Sequence, residues 1–183
     1  FPASHNSMSA ADEAGWFLAE QPTSMVNSLD DGIRVFLIDT WYGRSTESGG
    51  AVTAERSLAR AQYELTDGRA SKLTPAMQRS IDRLRAEDTL GPEKVYLCHT
   101  LCELGATPLQ PQLAGLKKWL QEHPREVVTV FIQDATTPQD TAEVFERTGL
   151  AQMAYVHQPG TAWPTLREMI DSDQRLLVLM ENE

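Results

Sequence analysis

The sequence lacks long apolar runs, clusters of basic residues and internal repeats, and each absence excludes a class of protein. No stretch approaches the roughly 20 apolar residues that a membrane-spanning helix needs. Lysine and arginine are scattered along a chain of net charge −10, which argues against nucleic-acid binding and against unaided adsorption to an anionic membrane. Without repeats or low-complexity tracts, the 183 residues are expected to form a single domain, 1–183, with a real core.

Cysteine is scarce, and the N-terminus shows neither a methionine nor a signal sequence. The chain begins at Phe1, so a leader or an upstream segment is expected to be missing from it. Without further cysteines, Cys98 and Cys102 do not indicate a zinc site. They could form a small-loop disulfide, pair with a cysteine elsewhere, or remain free thiols. The presence of two closely spaced cysteines slightly favours an exported protein, extracellular or at the cell surface.

Residues Gly32 to Gly43, GIRVFLIDTWYG, form an apolar run that leads to a carboxylate. The part 33–38 is typical of a strand buried on both faces, with Asp39 at its exit. A turn at Gly43 and a polar loop, 44–50, are expected to follow. Barrels and open α/β sheets carry their chemistry at such strand exits. Asp39 is therefore the first candidate site residue.

Strand-like and helix-like segments alternate along the chain, which predicts an α/β fold with a parallel sheet and helical crossovers. The predicted strands are 1–4, 32–43, 94–98, 126–132, 151–156 and 175–180. The predicted helices are 9–20, 24–31, 53–65, 74–87, 109–122, 138–147 and 163–170. About six strands fit either an open doubly wound sheet or an incomplete TIM-type (β/α)8 barrel. Polar residues at the strand exits favour the barrel, because a ring of strands makes those exits converge.

Motifs at three strand exits resemble those of a known family. Ser4 to Ser7 (SHNS), the GIRVFLIDTWYG strand and Cys98 to Leu101 (CHTL) are similar to the catalytic half of phosphatidylinositol-specific phospholipase C. The segments 103–109 (ELGATPL) and 124–128 (PREVV) are similar to its bacterial relatives. The resemblance implies a barrel-shaped phosphodiesterase that cleaves a phosphoinositide-like phospholipid through a cyclic phosphate. The enzyme would bind this phospholipid, or another phosphodiester, as its substrate and would contact a membrane surface transiently.

Two histidines carry the catalytic prediction. The resemblance implies that His5 is the general base, which takes the proton from the inositol 2-hydroxyl as that hydroxyl attacks the phosphorus. It implies that His99 is the general acid, which protonates the departing diacylglycerol oxygen. An imidazole can fill both roles near neutral pH. A hydrogen-bonded structural role at a loop start is the alternative for each histidine.

Asp39 is where the sequence departs from the metal-independent members of the family, which carry an arginine near this strand exit. The calcium-dependent members instead have Glu-x-Asp here, an asparagine after the first histidine and a later glutamate. Asn6 and Asp39 match that set, whereas Leu37 and Gln133 stand where its two glutamates would be. Two interpretations stay open. Asn6, Asp39 and Gln133, with Asp134, form a weak Ca²⁺ site, or Asp39 orients a histidine.

Other residues near the strand exits are weaker candidates. Trp41 is predicted to form a wall of the inositol pocket or to cap the barrel rim. Arg44 could reach a phosphate or lie in a solvated loop. Glu181, at the last strand exit, is a candidate ligand or orienting group, and Arg34 is expected to be a paired structural charge.

Two other functions compete with the phosphodiesterase of the phospholipase C type. A metal-dependent glycerophosphodiesterase-like enzyme acting on another phosphodiester is disfavoured, because neither 37–39 nor His5–Asn6 matches the Glu-x-Asp pair and the His-Arg start of such enzymes. A non-catalytic binding barrel gains weight from the missing arginine and glutamate. The phospholipase C-like hydrolase is the preferred interpretation.

Overall fold

A long central strand, β2, organises the chain. The computed structural model describes residues 1–66, 74–86 and 88–181. In these ranges the strands are β1 Ala3–Ser4, β2 Val35–Thr46, β3 Ala51–Thr53, β4 Thr89–Cys98, β5 Ala106–Pro108, β6 Val128–Asp134 and β7 Leu176–Met180. The helices are α1 Met25–Ser28, α2 Glu55–Leu65, α3 Pro75–Leu84, α4 Leu109–Glu122, α5 Pro138–Thr148 and α6 Leu166–Asp171. None of these helices has the length and apolar character needed to span a bilayer.

These strands form one mixed sheet in the order β5-β4-β2-β6-β7, and β1 and β3 also pair with β2. The neighbours β1, β2, β6 and β7 run parallel, whereas β3 and β4 are antiparallel to β2, and β5 to β4. The prediction of an incomplete TIM-type barrel is therefore wrong, because this sheet is mixed and does not close. Two helices precede β4, as they would in a parallel crossover, but the strand returns in the opposite direction. Alternating hydrophobicity carries no information on that direction.

Strand β2 continues well past the predicted exit at Asp39 and the predicted turn at Gly43. Its second half pairs with β4, Trp41 opposite Tyr96, and with β3, Gly43 opposite Thr53. A Cβ atom on Gly43 would lie 3.0 Å from the Tyr96 ring and 3.3 Å from the Val52 carbonyl oxygen. Gly43 thus permits close packing inside a strand and does not form a turn. Asp39 lies in the middle of β2.

Two hydrophobic clusters pack against the sheet. The larger one joins β2, β6 and β7 to α4 and α5 through residues such as Phe36, Val130 and Leu116. The predicted helix 109–122 is confirmed at both ends as α4, and its apolar stripe is buried. The second cluster contains Trp41 and Tyr96 with Ala61 of α2. Helix α2 therefore covers the part of β2 that follows Asp39.

The predicted helix 9–20 is wrong, because this segment folds as a loop closed by its own side chains. The Ser9 hydroxyl donates to the Leu18 carbonyl oxygen at 2.9 Å and accepts from the Glu20 backbone N–H at 3.2 Å. Serine side chains that bond to nearby backbone groups compete with helix formation in this way. Gly15 has φ of 90°, which an α-helix does not allow.

Most remaining elements are confirmed with shifted ends, but two short strands were missed and one predicted strand is wrong. The strands β3 and β5 were not predicted, since three residues are too few to show alternation. The predicted strand 151–156 is wrong: Ala151–Met153 forms a 3-10 turn, and Ala154 makes an isolated parallel bridge to Leu176. Residue 87 of the predicted helix 74–87 lies outside the described residues.

Candidate active site

His5 follows β1 at the carboxyl ends of the parallel strands. Strand β1 pairs with the start of β2, with Ser4 opposite Phe36. Ser7 closes the turn that carries His5: its backbone N–H donates to the Leu37 carbonyl oxygen at 3.0 Å, and its hydroxyl donates to the Ser4 carbonyl oxygen at 2.6 Å. His5 itself is exposed and accessible to a substrate.

Asn6 and the loop 9–24 hold this turn in place. Asn6 is buried in the left-handed backbone region, with φ of 48°, which asparagine tolerates better than most residues. Its side-chain Nδ2 donates to Glu20 Oε1 at 2.8 Å, and the Gln21 amide donates to the His5 carbonyl oxygen at 2.6 Å. Glu20 is a site residue that the sequence did not reveal, because the predicted helix there was wrong.

Strand β4 brings His99 beside Asp39 from the opposite direction. Because β4 is antiparallel to β2, with Leu97 opposite Thr40, the residue that follows β4 comes next to the middle of β2. His99 Nδ1 lies 3.6 Å from Asp39 Oδ2 and 3.8 Å from Glu20 Oε1. These distances are longer than a hydrogen bond but within ion-pair range of a protonated imidazole. His99 and Asp39 therefore form a contact pair.

A disulfide bond closes the short loop that contains His99. Cys98 and Cys102 are bonded and buried, which confirms the small-loop disulfide among the possibilities open from the sequence. Inside the loop, Thr100 has φ of 65°, and the Leu101 backbone N–H donates to the His99 carbonyl oxygen at 2.7 Å. The backbone around His99 is thus constrained on both sides.

The surroundings of Asp39 are acidic. Burial is the largest cause that raises the pKa of Asp39 from 3.8 to about 7, and the negative charges of Glu64, Glu20 and Glu181 raise it further. These glutamates come from α2, from the loop 9–24 and from the residue after β7. A positively charged group placed beside Asp39 would be stabilised by all of them.

A pocket of about 360 Å³ opens next to Asp39. Its polar lining is His5, Asp39, Gln133 and Glu181, and the rest is apolar side chains of β2, β6 and β7. Gln133 lies opposite Asp39 in the parallel register of β2 and β6. The structure thus brings together, in one pocket, residues that the sequence places at four different strand exits.

Trp41 and Arg44 lie away from this pocket. Trp41 is 1% exposed and packs in the second hydrophobic cluster; among the described residues its indole Nε1 has no hydrogen-bond partner. Arg44 lies five positions beyond Asp39 along β2, about 17 Å at roughly 3.3 Å per residue. It lines a different pocket with Glu55 and Asp88. Their placement does not support the predicted substrate-binding roles.

Two other charged or titratable side chains are structural. Arg34 donates through Nε to Glu126 at 2.8 Å and stacks over the Trp119 ring, which confirms it as a paired charge. His157 stacks on Trp163 with ring centroids 3.9 Å apart. It lies near the amino end of β7, opposite the end that carries Glu181.

The donor set around Asp39 fits, at most, a weak calcium site. No group of three or more His, Cys, Asp or Glu side chains in the described ranges is arranged to hold a metal ion. Ca²⁺ also accepts amide oxygens, which are carried by Gln133, opposite Asp39 in the register of β2 and β6, and by Asn6, the residue after His5. The excess negative charge around Asp39 favours a bound cation. These residues therefore suit one loosely held ion better than a closed carboxylate cage.

Two histidines on constrained turns beside a buried carboxylate form a site suited to acid–base chemistry. The sequence model of the PI-PLC X family, described as PI-PLC X 1, matches residues 61–183, about two thirds of the chain. The chain therefore belongs to the PI-PLC X family. The matched range contains His99, Gln133 and Glu181, whereas His5 and Asp39 precede it.

Three curated relatives extend this assignment. A PI-PLC X domain-containing protein 1 of Arthroderma benhamiae is 33% identical over 94 residues, which cover 48% of this chain and 31% of that protein. An uncharacterized secreted protein of the same organism is 31% identical over 96 residues, 49% of this chain and 22% of that protein. A PI-PLC X domain-containing protein of Arabidopsis thaliana is 30% identical over 95 residues, which cover 46% of this chain and 22% of that protein. The aligned part is thus less than a third of each relative's length, and no solved structure matches the chain.

Proposed function

We propose that this chain is the catalytic part of a phospholipase C-like phosphodiesterase that cleaves a phosphoinositide-like phospholipid to a cyclic phosphate. Membership of the PI-PLC X family supports the class of reaction. The observation that carries the proposal is the position of Asp39, which shares a pocket with His5 and lies 3.6 Å from His99 Nδ1. One carboxylate thereby connects the two candidate proton-transfer groups.

The proposed reaction is an intramolecular transfer. His5 accepts the proton of the inositol 2-hydroxyl while that oxygen forms a bond to phosphorus. The bond from phosphorus to the diacylglycerol oxygen breaks, and His99 donates a proton to the departing oxygen. Asp39 orients the His99 ring, as carboxylates do in other acid–base pairs, and the 3.6 Å separation is one that can shorten when substrate binds. Each proton transfer is worth about 10²- to 10⁴-fold in rate.

Calcium binding is the second part of the proposal. Asn6, Asp39 and Gln133 would hold Ca²⁺ when it is bound, and the ion would supply positive charge near the substrate phosphate. The acidic surroundings that raise the pKa of Asp39 support this role. Activity that falls on addition of a chelator and returns with Ca²⁺ would agree with it. Full activity in chelator would leave Asp39 with the orienting role alone.

A transient membrane contact is the third part. Phe17 and Leu18 are 79% and 68% exposed, in the loop that also carries Glu20. The Phe17 backbone N–H donates to the Leu104 carbonyl oxygen at 2.9 Å, so the loop presents this apolar pair on a fixed base beside the site. Since the chain carries a net charge of −10, apolar contact suits a lipid surface better than electrostatic adsorption does.

We also propose that the protein is exported. A disulfide persists in oxidising compartments, and Cys98–Cys102 is such a bond. One relative carries the name uncharacterized secreted protein, which agrees with this location.

The test of the catalytic proposal is a comparison of single histidine variants. His5→Ala and His99→Ala should each lower kcat on phosphatidylinositol vesicles by at least about 10²-fold, while circular dichroism shows an intact fold. His157→Ala is the matched control, because that ring stacks on Trp163 away from the pocket, and it should keep its activity. Normal turnover in either site variant would refute the assignment.

A further inference from the structure

Helix α2 places an arginine at the edge of the acidic site. Arg60 Nε donates to Glu64 Oε1 at 2.7 Å, and the other oxygen of Glu64 accepts from the Thr100 hydroxyl at 3.1 Å. Thr100 is the residue after His99, inside the disulfide loop. Glu64 therefore links the guanidinium of Arg60 to the turn that carries His99.

Arg60 and Asp39 lie in the same group of carboxylates. The charges of Glu64 and Glu181 act on Asp39. The same two charges act on Arg60, whose pKa is raised first by its hydrogen bond with Glu64 and then by these neighbours and Asp134. Glu64 and Glu181 therefore act on both residues, and the hydrogen bond from Thr100 to Glu64 ties the Arg60–Glu64 pair to the turn that carries His99. The packing agrees, since Ala61 of α2 contacts the second cluster together with Trp41, two positions after Asp39 on β2.

The site needs a positive charge of this kind. A phosphodiester is anionic, and in the described part of the chain the pocket that contains His5 and Asp39 has no lysine or arginine in its lining. The Arg60 side chain is 35% exposed, and only its Nε is engaged by Glu64. Its terminal amino groups form no hydrogen bond with any described residue, so they are free to donate to an oxyanion.

We propose that Arg60 binds the phosphate of the substrate, with Glu64 holding the guanidinium towards the His99 turn. This inference rests on the proposed phosphodiesterase function. A simple surface pair between positions i and i+4 of a helix is the competing explanation. The second Glu64 contact, to Thr100, is what a simple pair would not require.

The experiment compares Arg60→Ala and Arg60→Lys with Arg44→Ala in the complete protein. Arg44 is the matched control, because it is exposed on β2 and lines a different pocket. Arg60→Ala should lower kcat/KM on phosphatidylinositol vesicles by about 100-fold. Arg60→Lys should recover only part of this loss, because a lysine lacks the planar fork of the guanidinium. Added guanidinium ion at millimolar concentration should partly restore Arg60→Ala and should leave Arg44→Ala unchanged.

A second measurement does not depend on turnover. Binding of inorganic phosphate, followed by ³¹P NMR line broadening in the presence of a chelator, should weaken in Arg60→Ala and stay unchanged in Arg44→Ala. Unchanged kinetics and unchanged phosphate binding in Arg60→Ala would overturn the inference even if His99→Ala is inactive. If the protein has no phosphodiesterase activity at all, loss of phosphate binding in Arg60→Ala would still support the anion-binding role.

Discussion

Replacing Asp39 by asparagine should stabilise the folded protein at alkaline pH. The folded-state pKa of Asp39 is raised from 3.8 to about 7, so between these pH values the folded state holds one proton more than the unfolded state. The free energy of unfolding therefore falls as pH rises from about 4 to about 7. At 1.36 kcal/mol per pKa unit, the loss amounts to at most about 4 kcal/mol. Asparagine has nearly the same shape and no charge, so the free energy of unfolding of the variant should not decrease over this pH range.

The assay is urea unfolding of the wild type and Asp39→Asn at pH 4.5 and pH 8, in chelator. The variant should gain little at the lower pH and up to about 4 kcal/mol at the higher one. Asp140→Asn is the control: the Tyr42 hydroxyl bonded to Asp140 lowers the pKa of that carboxyl, so it is ionised at both pH values, and this variant should lose a similar amount of stability at each. A stability gap between wild type and Asp39→Asn that does not change with pH would refute the account of Asp39.

Two further predictions concern the supports of the site. Reducing the Cys98–Cys102 disulfide should lower the free energy of unfolding by about 2 kcal/mol. It should also lower kcat more than it changes KM, because the loop that carries His99 becomes more mobile. An unchanged kcat, with reduction verified by thiol counting, would contradict this. Gly105→Ala should destabilise by about 1–3 kcal/mol, because φ is 154° and a Cβ would lie 2.6 Å from Trp16 Cδ2 and closer still to the neighbouring ring carbon. Gly91→Ala, with φ of 69° and open space, should cost less in thermal unfolding, and equal costs would argue against the clash.

Local periodicity predicted the elements that bury one clear face. Helix 109–122 was predicted at its observed bounds because Leu113, Leu116 and Leu120 recur at helical spacing and are buried. The strands β6 and β7 were predicted from apolar runs, and alternate residues of each run pack in the larger cluster. In contrast, Trp16 and Leu18 suggested a helix, but the Ser9 side chain and the backbone of Gly15 favour a loop in this segment. Side-chain to backbone bonds that override periodicity leave no periodic signal in the sequence.

The sequence identified most residues of the candidate site but not how they are arranged in space. His5, Asp39 and Gln133 were placed at strand exits, and the parallel register of β2 and β6 does bring Asp39 opposite Gln133. His99 reaches Asp39 for a different reason, since β4 runs antiparallel to β2. The contributions of Glu20 and Glu64 depend on a loop and on a helix far away in the chain, and only the folded structure shows them.

His5 and His99 are proposed to cleave a phospholipid through a cyclic phosphate. The most direct measurement is ³¹P NMR of the water-soluble product released from phosphatidylinositol vesicles during the first turnovers. A cyclic phosphodiester resonance should appear first in the wild type, and His5→Ala and His99→Ala should form it at least about 10²-fold more slowly. A phosphomonoester as the first product, or release of the cyclic product by either histidine variant at the wild-type rate, would contradict it.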